Sequence, residues 1–113
     1  MARLRADIWV AAYLRRCAVE GAYAVLRRRG AAEAGAIFVV IDRLDGSVAL
    51  FGPAPQTAID DAQERLWTRL HDAEWIDPPD AQARLQREMK FDPDLWIVDV
   101  EDRQGRNFLD LAP

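Results

Sequence analysis

Residues 36–42, Ala-Ile-Phe-Val-Val-Ile-Asp, constrain this chain most. They are apolar on both alternations and β-branched at four of seven positions, as a strand covered on both faces is. Asp45-Gly46 follows, and reads as a two-residue hairpin turn because such a turn needs positive φ. Residues 47–51, Ser-Val-Ala-Leu-Phe, are then the returning strand. Gly52-Pro53-Ala54-Pro55 stops it, since proline cannot donate to a ladder.

On the N-terminal side, Asp7 suits a helix N-cap, where its carboxylate would accept from unpaired amides of the first turn. Val10, Leu14, Cys17, Ala18 and Gly21 then recur at helical spacing, which predicts a helix over 8–20. Gly21 has two readings. The adopted one has it end this helix in a left-handed cap, with a strand over 22–27; the rival is one long helix to Arg29 that Gly30 ends.

Residues 57–75 are also two-sided. Thr57 with Asp60 makes a capping-box pattern, and Ile59, Ala62, Leu66, Leu70 and Ala73 form a helical stripe. Residues 65–71 alternate as a strand would, although the pattern by itself favours helix. Asp77-Pro78 then opens a second helix, where a proline in the first turn forfeits no hydrogen bond. Ala81, Leu85 and Met89 line one face of it to about residue 90. Residues 95–102 read as a strand with Trp96, Val98 and Val100 on one face, and Gln104-Gly105 as the turn that brings 106–111 back along it.

The chain has 113 residues, 50% hydrophobic and 30% charged, which predicts a single compact domain. One cysteine, Cys17, excludes an internal disulfide and any Cys-rich zinc site. No segment approaches the roughly 18 apolar residues that cross a bilayer, and the start lacks the apolar stretch of a signal peptide. A cytoplasmic protein is expected, with no membrane association.

The net charge of −4 is unevenly placed: residues 1–30 carry +5 and the rest −9. Arg27, Arg28 and Arg29 are the best candidates for an anion site, since guanidinium groups near aromatic rings suit phosphate and stacked bases. A sequence pI near 4.9 argues against nucleic acid, because such binders are usually basic domains. The plainer reading is that a basic end packs against an acidic remainder.

Asp99 and Glu101 share one face of their strand and are weak candidates for a divalent cation. Their ordinary role is a solvated strand end paired with Arg103 or Arg106. The order of elements also resembles nucleases that add a Glu-x-Lys triplet to an acidic pair, but Glu88-Met89-Lys90 falls on the second helix, where its two side chains diverge. Cys17 reads as a small core hydrophobe and His71 as a surface residue at the end of an element. Ser47, the one serine, sits in a turn. Of the four tryptophans, Trp75 is the one placed for a partner contact, beside acidic residues and two prolines.

Residues 6–16, 34–39 and above all 91–103, Phe-Asp-Pro-Asp-Leu-Trp-Ile-Val-Asp-Val-Glu-Asp-Arg, resemble a small alphaproteobacterial family catalogued only as a domain of unknown function. The resemblance spans nearly the whole chain and carries over no catalytic or binding residue. It implies strands after Gly21 and at 66–70, and both are adopted. The expected fold is α+β, a mostly antiparallel sheet of five or six strands with two main helices near 8–20 and 78–90. Hairpins over 36–51 and 94–111 would supply most of that sheet. The expected function is a non-enzymatic interaction or accessory protein with no cofactor, acting on a protein partner or a second copy. The alternative is a nucleic-acid-associated or anion-binding protein using Arg27, Arg28 and Arg29, with metal-dependent activity as an extension. Free, clustered arginines would favour the second reading, and neutralised ones the first.

Overall fold

A computed structural model describes residues 4–55 and 65–113. Its elements run α1 (Ala6–Val19), β1 (Tyr23–Arg28), β2 (Ile37–Asp42), β3 (Val48–Pro53), β4 (Trp67–Arg69), α2 (Pro78–Phe91) and β5 (Trp96–Glu101). The strands form one sheet in the order β1-β5-β2-β3-β4. Only β2 and β5 pair parallel; the other neighbours are antiparallel. The α+β expectation of two helices on a mostly antiparallel sheet is met, with five strands.

The doubly apolar β2 dictates the layering. Ile37, Val39 and Ile41 point to one face, where α1 buries Ala6, Val10, Tyr13 and Cys17 against them. Phe38 and Val40 point to the other, where α2 buries Ala81 and Leu85. A strand with apolar residues at every position thus ends between two helices, as its sequence requires. The buried stripe of α1 differs from the expected one at Tyr13, which is buried, and Ala18, which is exposed.

The hairpin of β2 and β3 forms with Asp42 opposite Val48, so its loop is longer than the two-residue turn expected. Asp42 Oδ1 accepts from the Leu44 amide at 2.8 Å, and Asp45 Oδ1 accepts from both the amide and the hydroxyl of Ser47. These side-chain bonds stabilise a wider loop, in which Leu44 and Gly46 both take positive φ. The strand also continues through Gly52 and Pro53, because β4 supplies it with a partner.

Gly21, at φ 86°, ends α1 and turns the chain into β1, so the strand reading is the correct one there. Leu66–Leu70 likewise centres on a strand, β4; the capping-box pattern at Thr57 and the stripe positions Ile59 and Ala62 lie outside the described residues. Asp7 does not cap α1. The N-cap is Arg5, and Asp7 lies in the first turn, its carboxylate on the Ile8 amide and the Arg5 guanidinium. Backbone carbonyls take the capping role instead: the Ala6 amide donates to Glu33 O and the Asp7 amide to Ala32 O.

The C-terminal hairpin does not form. β5 lies between β1 and β2, so it has no free edge along which 106–111 could return. The chain turns at Gly105 and crosses the α1 face, where Phe108 and Leu109 pack on the core and Tyr13 Oη donates to Asn107 O at 2.6 Å. It finishes against β4: the Trp67 amide donates to Asp110 O and the Ala112 amide to Trp67 O, both at 2.9 Å. Among the described residues no helix is long and apolar enough to cross a membrane.

Candidate functional site

The first turns of α2 and the strands β1, β5 and β2 enclose a groove of about 460 Å³. Strand alternation decides what lines it. Tyr23, Val25 and Arg27 of β1 face the groove, as do Asp99 and Glu101 of β5, and Val40 and Asp42 of β2. Pro78, Pro79, Gln82 and Leu85 form the wall on α2. The floor is apolar and the rim carries three carboxylates and one guanidinium.

Those charges are only partly matched. Arg27 grips Asp99 with two parallel bonds of 2.8 and 2.7 Å, and its remaining nitrogen donates to Gln82 Oε1 at 2.8 Å. This planar fork suits a carboxylate and ties β1, β5 and α2 together. Asp42 and Glu101 stand side by side on neighbouring strands. The Glu101 side chain makes no hydrogen bond or ion pair among the described residues. No group of three His, Cys, Asp or Glu among them could hold a metal ion.

β1 is also the outer strand of the sheet. Its inner side pairs with β5, with an irregular register between Leu26 and Arg28. No backbone bond reaches its outer side among the described residues. Tyr23 is 63% exposed and Val25 38%. At the other edge β4 has three residues and is closed by Asp110 and Ala112.

The match to known proteins is to a family without an assigned role. Residues 4–110 fit the model of "Protein of unknown function (DUF1491)". The chain belongs to this family. A DUF1491 crystal structure from Caulobacter crescentus is 39% identical over 96% of this chain and 95% of its own, with a TM-score of 0.78. A solution structure from A. tumefaciens is 35% identical, covering 97% of this chain and 95% of its own, with a TM-score of 0.82. An NMR structure of a DUF1491 protein from Caulobacter crescentus is 38% identical over the whole of both chains, with a TM-score of 0.81. No curated protein matches. The alphaproteobacterial resemblance read from residues 6–16, 34–39 and 91–103 is borne out.

In this DUF1491 chain the three candidate arginines take separate roles. Arg27 is held by Asp99; Arg28 donates to Pro93 O and Leu95 O; the Arg29 guanidinium lies 5.2 Å from the Trp96 ring centre. Trp75 is half-buried. Its ring lies 3.9 Å beneath the Arg43 guanidinium, and its Nε1 donates to Glu74. Gly105 abuts the same ring, and any Cβ there would fall 2.7 Å from it, at a φ of 71° that already favours glycine.

Asp99 and Glu101 do share a face, but the partner of Asp99 is Arg27, whereas Arg106 turns to Asp102. Arg106 donates to Asp102 at 2.8 and 3.0 Å, and its amide adds a third bond at 2.9 Å. These bonds hold the Asp102 carboxyl below its ordinary range. Cys17 is fully buried, and burial pushes its thiol up, away from nucleophilic character. His71 bridges two backbone groups: Nε2 accepts from the Leu50 amide at 3.0 Å, which leaves Nδ1 protonated to donate to Ala73 O at 2.6 Å. Sequence reasoning missed Tyr23, Val25 and Asp42 as groove residues. The available signal was the carboxylates in the last half of two otherwise apolar strands, Asp42 in β2 and Asp99 and Glu101 in β5.

Proposed function

We propose that this chain is a non-enzymatic interaction protein of the cytoplasm, engaging an extended protein segment along β1 and the groove beside it. The observation that carries the reading is the free outer side of β1 next to an apolar-floored groove, with Tyr23 and Val25 exposed between them. A sheet edge offers a row of unmet backbone donors and acceptors, and an added strand satisfies them while alternate side chains enter the groove. The engagement of Cys17 and His71 in the packing supports a binding role over catalysis. So does the pairing of Asp99 with Arg27.

A photo-crosslinking residue at position 25, compared with one at the exposed Gln86 on α2, tests this reading. In a Caulobacter crescentus lysate, position 25 is expected to yield discrete adducts, whether with another protein or with a second copy. Equal background at the two positions would overturn the proposal.

A further inference from the structure

The occupant of the β1 edge is identified by the charge on the edge itself. We infer that it is β1 of a second copy of this chain, added antiparallel about a two-fold axis through Val25; the inference rests on the edge-binding reading above.

The charges along this edge are polar from end to end. Glu20, which Arg16 pairs at 3.5 Å, precedes the strand, and the unpaired Glu101 side chain lies directly opposite Tyr23, at the strand's start. Arg28 and Arg29 stand at its far end, neither bonded to a carboxylate among the described residues. Parallel pairing of two such edges would set like against like. Antiparallel pairing brings the arginine end of each copy to the glutamate end of the other, so the edge is complementary to itself and to the reverse direction only.

Side-chain alternation then restricts the register to an axis through a single residue. A two-fold axis perpendicular to the sheet keeps each face on its own side, so a residue must stand opposite one of the same face. Centring on Val25 places its exposed side chain against its own copy. Tyr23 then lies opposite Arg27 of the second copy, an aromatic face against a guanidinium plane. The result is one continuous ten-stranded sheet, twice the five described. The two grooves join across the axis, since Tyr23, Val25 and Arg27 are their shared lip. The β1 irregularity between Leu26 and Arg28 ends the regular ladder at Arg27, so the paired stretch runs from Tyr23 to Arg27.

Sedimentation of the purified chain from micromolar to millimolar concentration gives the first readout, with a reversible dimer weakened by salt as the expected result. Val25→Glu sets two carboxylates face to face at the axis and should weaken the dimer by about tenfold or more. Its monomer should keep the native spectrum, because Val25 is already partly exposed. The register is read separately by Val25→Cys and Tyr23→Cys under diamide, with the buried Cys17 as a silent second thiol in each variant. Val25→Cys should cross-link to a covalent dimer and Tyr23→Cys should not, since only self-opposed cysteines lie within disulfide reach. A monomer at every concentration overturns the inference, as does a dimer indifferent to Val25→Glu or equal cross-linking at both positions. Should position 25 capture a different protein while the pure chain stays monomeric, self-pairing falls and the edge reading stands. Should both experiments be silent, both fall.

Discussion

The two faces of this sheet are built from the same strands and finished in opposite ways. Toward α1, β5 presents Trp96, Val98 and Val100, all buried, and the C-terminal segment lies over what the helix leaves uncovered. Toward α2 the same strand presents Ile97, then Asp99 and Glu101, and the helix covers only the apolar part. A face that must be dry is apolar along its whole length, whereas a face meant to stay open changes to charge where its cover stops. The groove is therefore written into the alternation of β5, and one strand serves as core on one side and as binding surface on the other.

Substitutions graded across the two faces would break or sharpen this contrast. The largest effect belongs to the closed face. Trp96→Ala removes a side chain 1% exposed and strands the Ala31 carbonyl that accepts from its Nε1, and should cost about 4 kcal/mol in urea unfolding. Leu85→Ala, under the covered part of the open face, should cost about 3 kcal/mol, and a loss below that of Glu101→Gln would show that α2 is not part of the core.

Next comes Asp102, 7% exposed at the end of β5. Its folded carboxyl titrates below the unfolded one, so the unfolded chain binds that proton more tightly. The stability it adds is complete above the unfolded value of about 3.9 and is lost as pH falls through the lowered folded value. Asp102→Asn should therefore cost about 2 kcal/mol near neutrality and flatten the acid limb of stability against pH; an unchanged limb would assign acid sensitivity elsewhere.

On the groove rim, Arg27 and Asp99 are both about a third exposed, and their double-mutant cycle should give a coupling of about 1 kcal/mol or less. The smallest effect is expected at Glu101→Gln, within about 0.5 kcal/mol, because this side chain makes no bond to lose. If Glu101 proves as costly as Asp102, the two faces do not differ as described.

Local chemistry made part of this legible in advance. β2 could be read because its apolar residues leave no solvent side, and α2 because Asp77-Pro78 and the Ala81-Leu85-Met89 spacing agree. Residues 66–70 and 23–28 could not be settled by pattern: β4 is a short edge strand, and β1 alternates between Tyr23, Val25 and Arg27 on the groove and small or half-buried residues behind. Resemblance to the family decided residues 66–70 against their helical pattern, and it agreed with the strand already read after Gly21. The C-terminal hairpin misled because Gln104-Gly105 does turn the chain, while β1 and β2, brought from far away in sequence, already occupy both sides of β5. The same non-local pairing hid the groove. Asp99 and Glu101 were visible as a pair on one face, but Asp42 joins Glu101 only through the parallel register of β2 and β5.

The borrowed cap of α1 bears on the order in which the protein can be assembled. The helix precedes every other described element in the chain, yet the carbonyls of Ala32 and Glu33 that receive its leading amides belong to a loop pinned from much later in the chain, by the Ala31 amide on Asp94 O and the Trp96 indole on Ala31 O, both at 2.8 Å. A helix waiting for β5 before its first turn is secured cannot be locked on the ribosome as it emerges. Its first-turn amides should exchange with solvent only as fast as the whole sheet opens, where a self-capped helix would fray ahead of it.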